Sequence, residues 1–113
     1  MPRYVMIATA NAKPGQEEEF KTWYETYHLP EILDVPGVES GRRLVATESN
    51  FSKPKMRYVT IYELETEHPD SVVAEIVRLN QAGETTQTSS IEPEGAAIYF
   101  YQQVEGVEYG PIS

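Results

Sequence analysis

Cysteine is missing altogether from the 113 residues. That removes disulfides, thiolate nucleophiles and sulfur-ligated metals at once. Positive charge is scarce as well: nine Lys and Arg stand against eighteen Asp and Glu, a formal net charge of -9. Phosphate binding draws its affinity from clustered cations, and these nine are scattered, so a nucleic-acid partner is not expected and an acidic membrane surface is disfavoured. An anionic small molecule stays compatible, because one local arginine outweighs a screened long-range field over a few ångströms. Long apolar runs are absent too, which argues against a membrane span. The opening MPRYVMIATAN has only a short, interrupted apolar stretch and no small-residue cleavage pattern, so a cytoplasmic location is expected. The two histidines, His28 and His68, lie forty positions apart with no HxH or HxxxH spacing, and no metal site is expected. With no Gly-rich phosphate loop, Walker pattern or dinucleotide fingerprint either, the expectation is a protein without a cofactor.

What is plentiful is the tyrosine. Aromatic residues make up 11% of the chain, eight of them Tyr against one Trp. Rings with a hydroxyl suit a pocket that is both apolar and hydrogen-bonding. The length fits one domain, residues 1–113, able to bury about two-thirds of its unfolded surface. RYVMIATAN, residues 3–11, carries apolar groups on both alternating sets and reads as a strand covered on both faces. QEEEFKTWYETYH opens with acids that suit a helix start and repeats Phe20, Trp23, Tyr24 and Tyr27 at i, i+3, i+4, i+7. In a regular α-helix His28 falls about 40° beyond Tyr24, on the rim of that stripe. Leu29-Pro30 predicts the end of this helix near His28, with PEILD as a new short turn and VPG closing it. Strands follow at 38–48 and 57–65 around the polar loop SNFSKPK. A second helix spans 68–83, with Asp70 or Ser71 as N-cap and Gly83 as its stop. ETTQTSSIEPEG, 84–95, reads as a loop, 96–106 as the last strand, and VEYGPIS as a short tail.

The order βαββαβ predicts an α+β, ferredoxin-like sandwich: a four-stranded antiparallel sheet with both helices on one face. Helices on one face leave the other apolar face bare, and a patch of several hundred Å² usually marks an interface. The expected solution is a homodimer with the sheets face to face, forming a barrel.

With Trp23-Tyr24-x-x-Tyr27-His28-Leu29-Pro30, then Val35-Pro36-Gly37 and Ser40-x-Arg42-Arg43, this order resembles the dimeric α/β-barrel superfamily and, within it, the EthD-like proteins. The resemblance implies a homodimer of ferredoxin-like subunits with a pocket in each, between sheet and helices. It does not imply one reaction, since the superfamily includes polyketide cyclases, isomerases, cofactor-free monooxygenases, haem-binding enzymes and aldoxime dehydratases. For haem ligation the resemblance would require an axial histidine near the second helix, where His68 stands, and its neighbours Glu67, Pro69 and Asp70 describe a solvated helix entry instead.

His28 is the candidate catalytic group, an imidazole titrating near neutrality as general acid or base, or else a helix terminator whose pKa the helix dipole raises. Tyr24, Tyr27, Tyr58, Tyr62 and Tyr99 are candidate substrate-binding residues. Tyr58 and Tyr62 share one face of their strand, as Tyr99 and Tyr101 do of theirs, and the sequence leaves open which faces line the pocket. Arg42 and Arg43 point to opposite faces, so one of them answers a substrate carboxylate or pairs with a carboxylate such as Glu63. Glu31 and Asp34 read as solvated or capping. Three functions follow as expectations: a cofactor-independent isomerase, cyclase or lyase working by proton transfer on an aromatic or polyketide-like ligand; a non-catalytic ligand-binding or structural dimer; and a cofactor-free oxygenase.

Overall fold

Both faces of the first strand carry apolar residues, and one of them packs against the helices. The computed structural model describes residues 3–106; residues 1 and 2 and the tail 107–113 lie outside the described residues. Four strands, β1 (Arg3–Ala12), β2 (Val38–Val45), β3 (Tyr58–Glu65) and β4 (Ile91–Gln102), form one antiparallel sheet in the order β2-β3-β1-β4. Direct cross-strand partners share a face. Met6 lies opposite Tyr62 and Phe100, Tyr4 opposite Leu64, and Gly41 opposite Tyr62. This set faces the helices and forms a core with Ile32, Val35 and Val72. The expected ferredoxin-like α+β sandwich is therefore the observed one. Among the described residues no helix is long and apolar enough to cross a membrane.

The other face carries Val5, Ile7, Val59 and Ile61 in its middle strands, with Arg42 and Leu44 on β2 and Tyr99 and Tyr101 on β4. Among the described residues no helix covers it. Leu44, Tyr99 and Tyr101 remain 44%, 51% and 59% exposed, which leaves an apolar surface without a partner among the described residues.

The first helix departs from expectation. It does not stop at His28: α1 (Glu17–Trp23) runs through a π-helical turn, Tyr24–His28, directly into α2 (Leu29–Leu33). Leu29 is helical at φ -59°, ψ -49° despite the proline that follows, and its N–H reaches back five residues to the Tyr24 carbonyl. A proline within a regular α-helix loses one hydrogen bond and collides with the carbonyl four residues back. The widened turn inserts one extra residue just ahead of the ring, and Pro30 then stands in the first turn of α2, where its missing N–H costs nothing. The second long helix, α3 (Pro69–Gln81), starts after His68 and packs Val72 into the core.

Two strand ends also differ. β2 stops at Val45 rather than residue 48, and β4 begins at Ile91, inside the stretch expected to be a loop. The pairing passes from Thr9 opposite Ala97 to Asn11 opposite Glu92, so Pro93, Glu94, Gly95 and Ala96 bulge out opposite Ala10. Pro93 has no donor for the ladder and Gly95 takes φ +81°, two signals that read locally as a break.

Candidate functional site

Because the π turn places residues five apart above one another, His28 lies over Trp23. The two rings stack at 4.4 Å between centroids and 19° between planes, and the Tyr24 ring meets the imidazole edge-on at 4.9 Å. His28 is thus carried inward from the rim, while Tyr27, expected on the apolar stripe, is rotated outward to 47% exposure. Burial lowers the His28 pKa to about 4, against the opposing pull of Glu31, whose negative charge favours the imidazolium. The imidazole is therefore neutral at pH 7. This corrects the expectation of a group titrating near neutrality at a helix C-terminus: no terminus exists there, and desolvation outweighs the nearby carboxylate.

Behind Trp23, a second cluster ties a loop to the helix. The Trp23 indole Nε1–H donates to the Thr86 carbonyl at 2.8 Å. The Thr86 backbone N–H and Oγ1–H donate to the Glu31 carboxylate, at 3.0 Å each to Oε2. Every polar atom of Thr86 is engaged, so residues 84–90 are clasped onto α1 and α2. Glu31, expected to be solvated or capping, belongs to this clasp. Neither Glu31 nor Thr86 announces itself in the sequence, because the contact spans 55 positions between two unpatterned polar segments.

On the sheet side the Tyr24 hydroxyl lies 3.3 Å from that of Tyr62. Burial, reinforced by the Tyr24 hydroxyl and only partly offset by Arg43, pushes the Tyr62 phenol far above its usual range, so it stays protonated. Arg43, on the helix-facing side of β2, places its guanidinium carbon 4.8 Å from the Tyr24 ring centroid and 5.7 Å from those of Phe20 and Tyr58. Its Nη1–H donates to Glu25 at 2.5 Å. A cleft of about 270 Å³ opens beside it, bounded by Lys21, Glu25, Val45 and Tyr58.

The structure thus gathers His28, Tyr24, Tyr58, Tyr62 and Arg43 around one aromatic cluster, with Tyr24 touching both the imidazole and the guanidinium. Arg42 and Tyr99 are not part of it. They lie on the opposite face of the sheet, Arg42 across from Ile61 and Tyr99 across from Ile7. Tyr27 stands apart as well, on the wall of an outer cleft with Trp23, Thr86 and Thr88. Arg43 pairs with Glu25 rather than Glu63, which points to the other face. His68 is exposed at the entry of α3, its N–H donating to Thr66 Oγ1 at 3.1 Å and its carbonyl accepting from Ser71 Oγ. Among the described residues no group of three or more His, Asp and Glu converges to hold a metal ion.

No family model and no curated protein matches the sequence. Solved structures do match in fold. A proposed antibiotic biosynthesis monooxygenase from Bordetella bronchiseptica superposes with a TM-score of 0.61 at 18% identity, over 92% of this chain and 99% of that one. A proposed monooxygenase from Shewanella loihica PV-4 gives 0.62 at 14% identity, over 92% and 97%. An EthD family protein from Bacillus halodurans C-125 gives 0.52 at 11% identity, over 92% and 100%. At such identities the likeness shows the fold alone, the ferredoxin-like sandwich that the sequence resemblance implied.

Proposed function

We propose that the protein is a small-molecule enzyme that works as a homodimer, without a cofactor, on an electron-rich aromatic or polyketide-like compound, and that its reaction is an oxygenation begun by proton removal. The observation that carries this reading is His28: a neutral imidazole, stacked on Trp23 and met edge-on by Tyr24, whose hydroxyl in turn lies 3.3 Å from that of Tyr62. Such a group accepts a proton at pH 7, the opening step of an oxygenation and equally of the isomerase, cyclase or lyase that the sequence alone favoured. Of the three solved structures described above, two are named as monooxygenases, which favours the oxygenation. The stoichiometry balances without a co-reductant: a phenol and dioxygen give a quinone and water.

Magnitude narrows the substrate. Moving a proton from an ordinary phenol of pKa about 10 to an imidazole of pKa about 4 is uphill by roughly 8 kcal/mol. An enol or phenol acidified by neighbouring carbonyls, as in polyketides, lowers that cost. The uncovered sheet face around Ile7, Ile61, Leu44 and Tyr101 supports the dimer, for which light scattering should give twice the 12.8 kDa chain mass.

To test the function, oxygen uptake is followed with a panel of hydroxylated polycyclic polyketides. Consumption stoichiometric with quinone, and a loss of 10²-fold or more in kcat/KM for His28→Ala, is expected. Turnover that continues without oxygen would return the isomerase or cyclase reading. A second reading, a non-catalytic binding or structural dimer, is favoured by one feature: Phe20, Tyr24 and Tyr62 are all but fully buried and fill the space between helix and sheet. No turnover of any compound in the panel by the wild-type protein would support it.

A further inference from the structure

We propose that the cleft beside Arg43 binds a flat aromatic monoanion, a ring bearing one carboxylate, and that Glu25 is the intramolecular stand-in which this ligand displaces. The inference rests on the small-molecule reading above and names the ligand class of that site. Arg43 is only 15% exposed, yet it lies among three rings and spends one donor on a single oxygen of a carboxylate that is itself 48% exposed. No buried side-chain nitrogen or oxygen among the described residues lacks a partner, so the remaining guanidinium nitrogens keep contact with solvent, and Arg43 lines the cleft. A planar fork with free donors fits a carboxylate bidentately, which Glu25 does not achieve.

The rest of the cleft matches the remainder of such a ligand. Tyr58 and Val45 provide an apolar wall for a ring. Lys21 stands one helical turn before Glu25, at the i−4 position, and gives the displaced Glu25 carboxylate a new partner. Glu17 and Glu18 close the rim and repel a second negative charge. The site therefore selects one anionic group on an apolar ring and disfavours a dianion.

The probe is 2-naphthoate at pH 7.5, titrated by calorimetry and by NMR of the Arg43 Nε–H, with neutral 2-naphthamide and naphthalene-2,3-dicarboxylate as comparisons. Naphthoate should bind more tightly than either. Glu25→Gln should tighten naphthoate binding at least fivefold by removing the competitor, Arg43→Met should weaken it at least tenfold, and Arg42→Met, on the opposite face, should leave it unchanged. Should Arg43→Met fail to fold, the Glu25→Gln gain still decides. Equal affinity for naphthoate and naphthamide, no binding at millimolar concentration, or no gain in Glu25→Gln would each overturn the proposal. Oxygen uptake is read separately: naphthoate bound as described by a protein that oxidises no substrate would leave this site standing and remove the oxygenase.

Discussion

Replacing His28 by phenylalanine isolates the one feature that makes this histidine unusual. The substitution keeps a ring of similar outline against Trp23, where the imidazole stacks at 4.4 Å, and removes the titration. An unfolded histidine titrates near 6.5, and burial brings the folded value down to about 4. Between these values the unfolded chain binds a proton that the folded protein refuses. Wild-type stability therefore falls as pH drops through 6.5 and continues to fall until about 4, where the folded state also protonates. At about pH 4.5 the loss amounts to roughly 2.5 kcal/mol, and at pH 7.5 it is close to zero. Urea unfolding by far-ultraviolet circular dichroism, at pH 7.5 and pH 4.5, should show His28→Phe gaining about 2.5 kcal/mol relative to wild type on acidification. Parallel pH profiles for the two proteins, or an imidazole NMR titration centred between pH 6 and 7, would refute the buried neutral histidine and with it the proton acceptor proposed here.

Gly41 and the Thr86 clasp are testable in the same way. A Cβ on Gly41 would come within 2.9 Å of the buried Tyr62 ring and 3.0 Å of Leu29, so Gly41→Ala should cost about 1–3 kcal/mol in urea unfolding; an unchanged midpoint would show that Tyr62 shifts freely. Thr86→Val keeps the backbone bonds and the branched shape but removes the Oγ1–H bond to Glu31. A loss of about 1 kcal/mol and faster amide exchange across residues 84–90 are expected, and exchange equal to wild type would show that the clasp does not hold the loop.

The distribution of apolar residues along the strands was enough to specify the βαββαβ order, the two-sided sheet and the aromatic stripe Phe20-Trp23-Tyr24, because periods of 2 and 3.6 are local properties. The same local logic misplaced what came after Tyr24. Leu29-Pro30 signals a helix end under the rules of a regular helix, but packing of Ile32 and Leu29 against the sheet holds the chain helical, and the π turn absorbs the proline. That one inserted residue exchanged the places of Tyr27 and His28. Alternation also showed that Arg42 and Arg43, or Tyr62 and Tyr99, had to be assigned to faces, without saying which; only the register of β3 against β1, and of β2 against β3, fixed Tyr62 and Arg43 toward the helices. The Thr86–Glu31 clasp, the Glu25–Arg43 pair and the depressed His28 pKa depend on contacts between distant segments and on burial. Those quantities belong to the assembled fold, so the chemical character of the site was decided by tertiary structure, although His28, Tyr24, Tyr62 and Arg43 were already legible as candidates in the sequence.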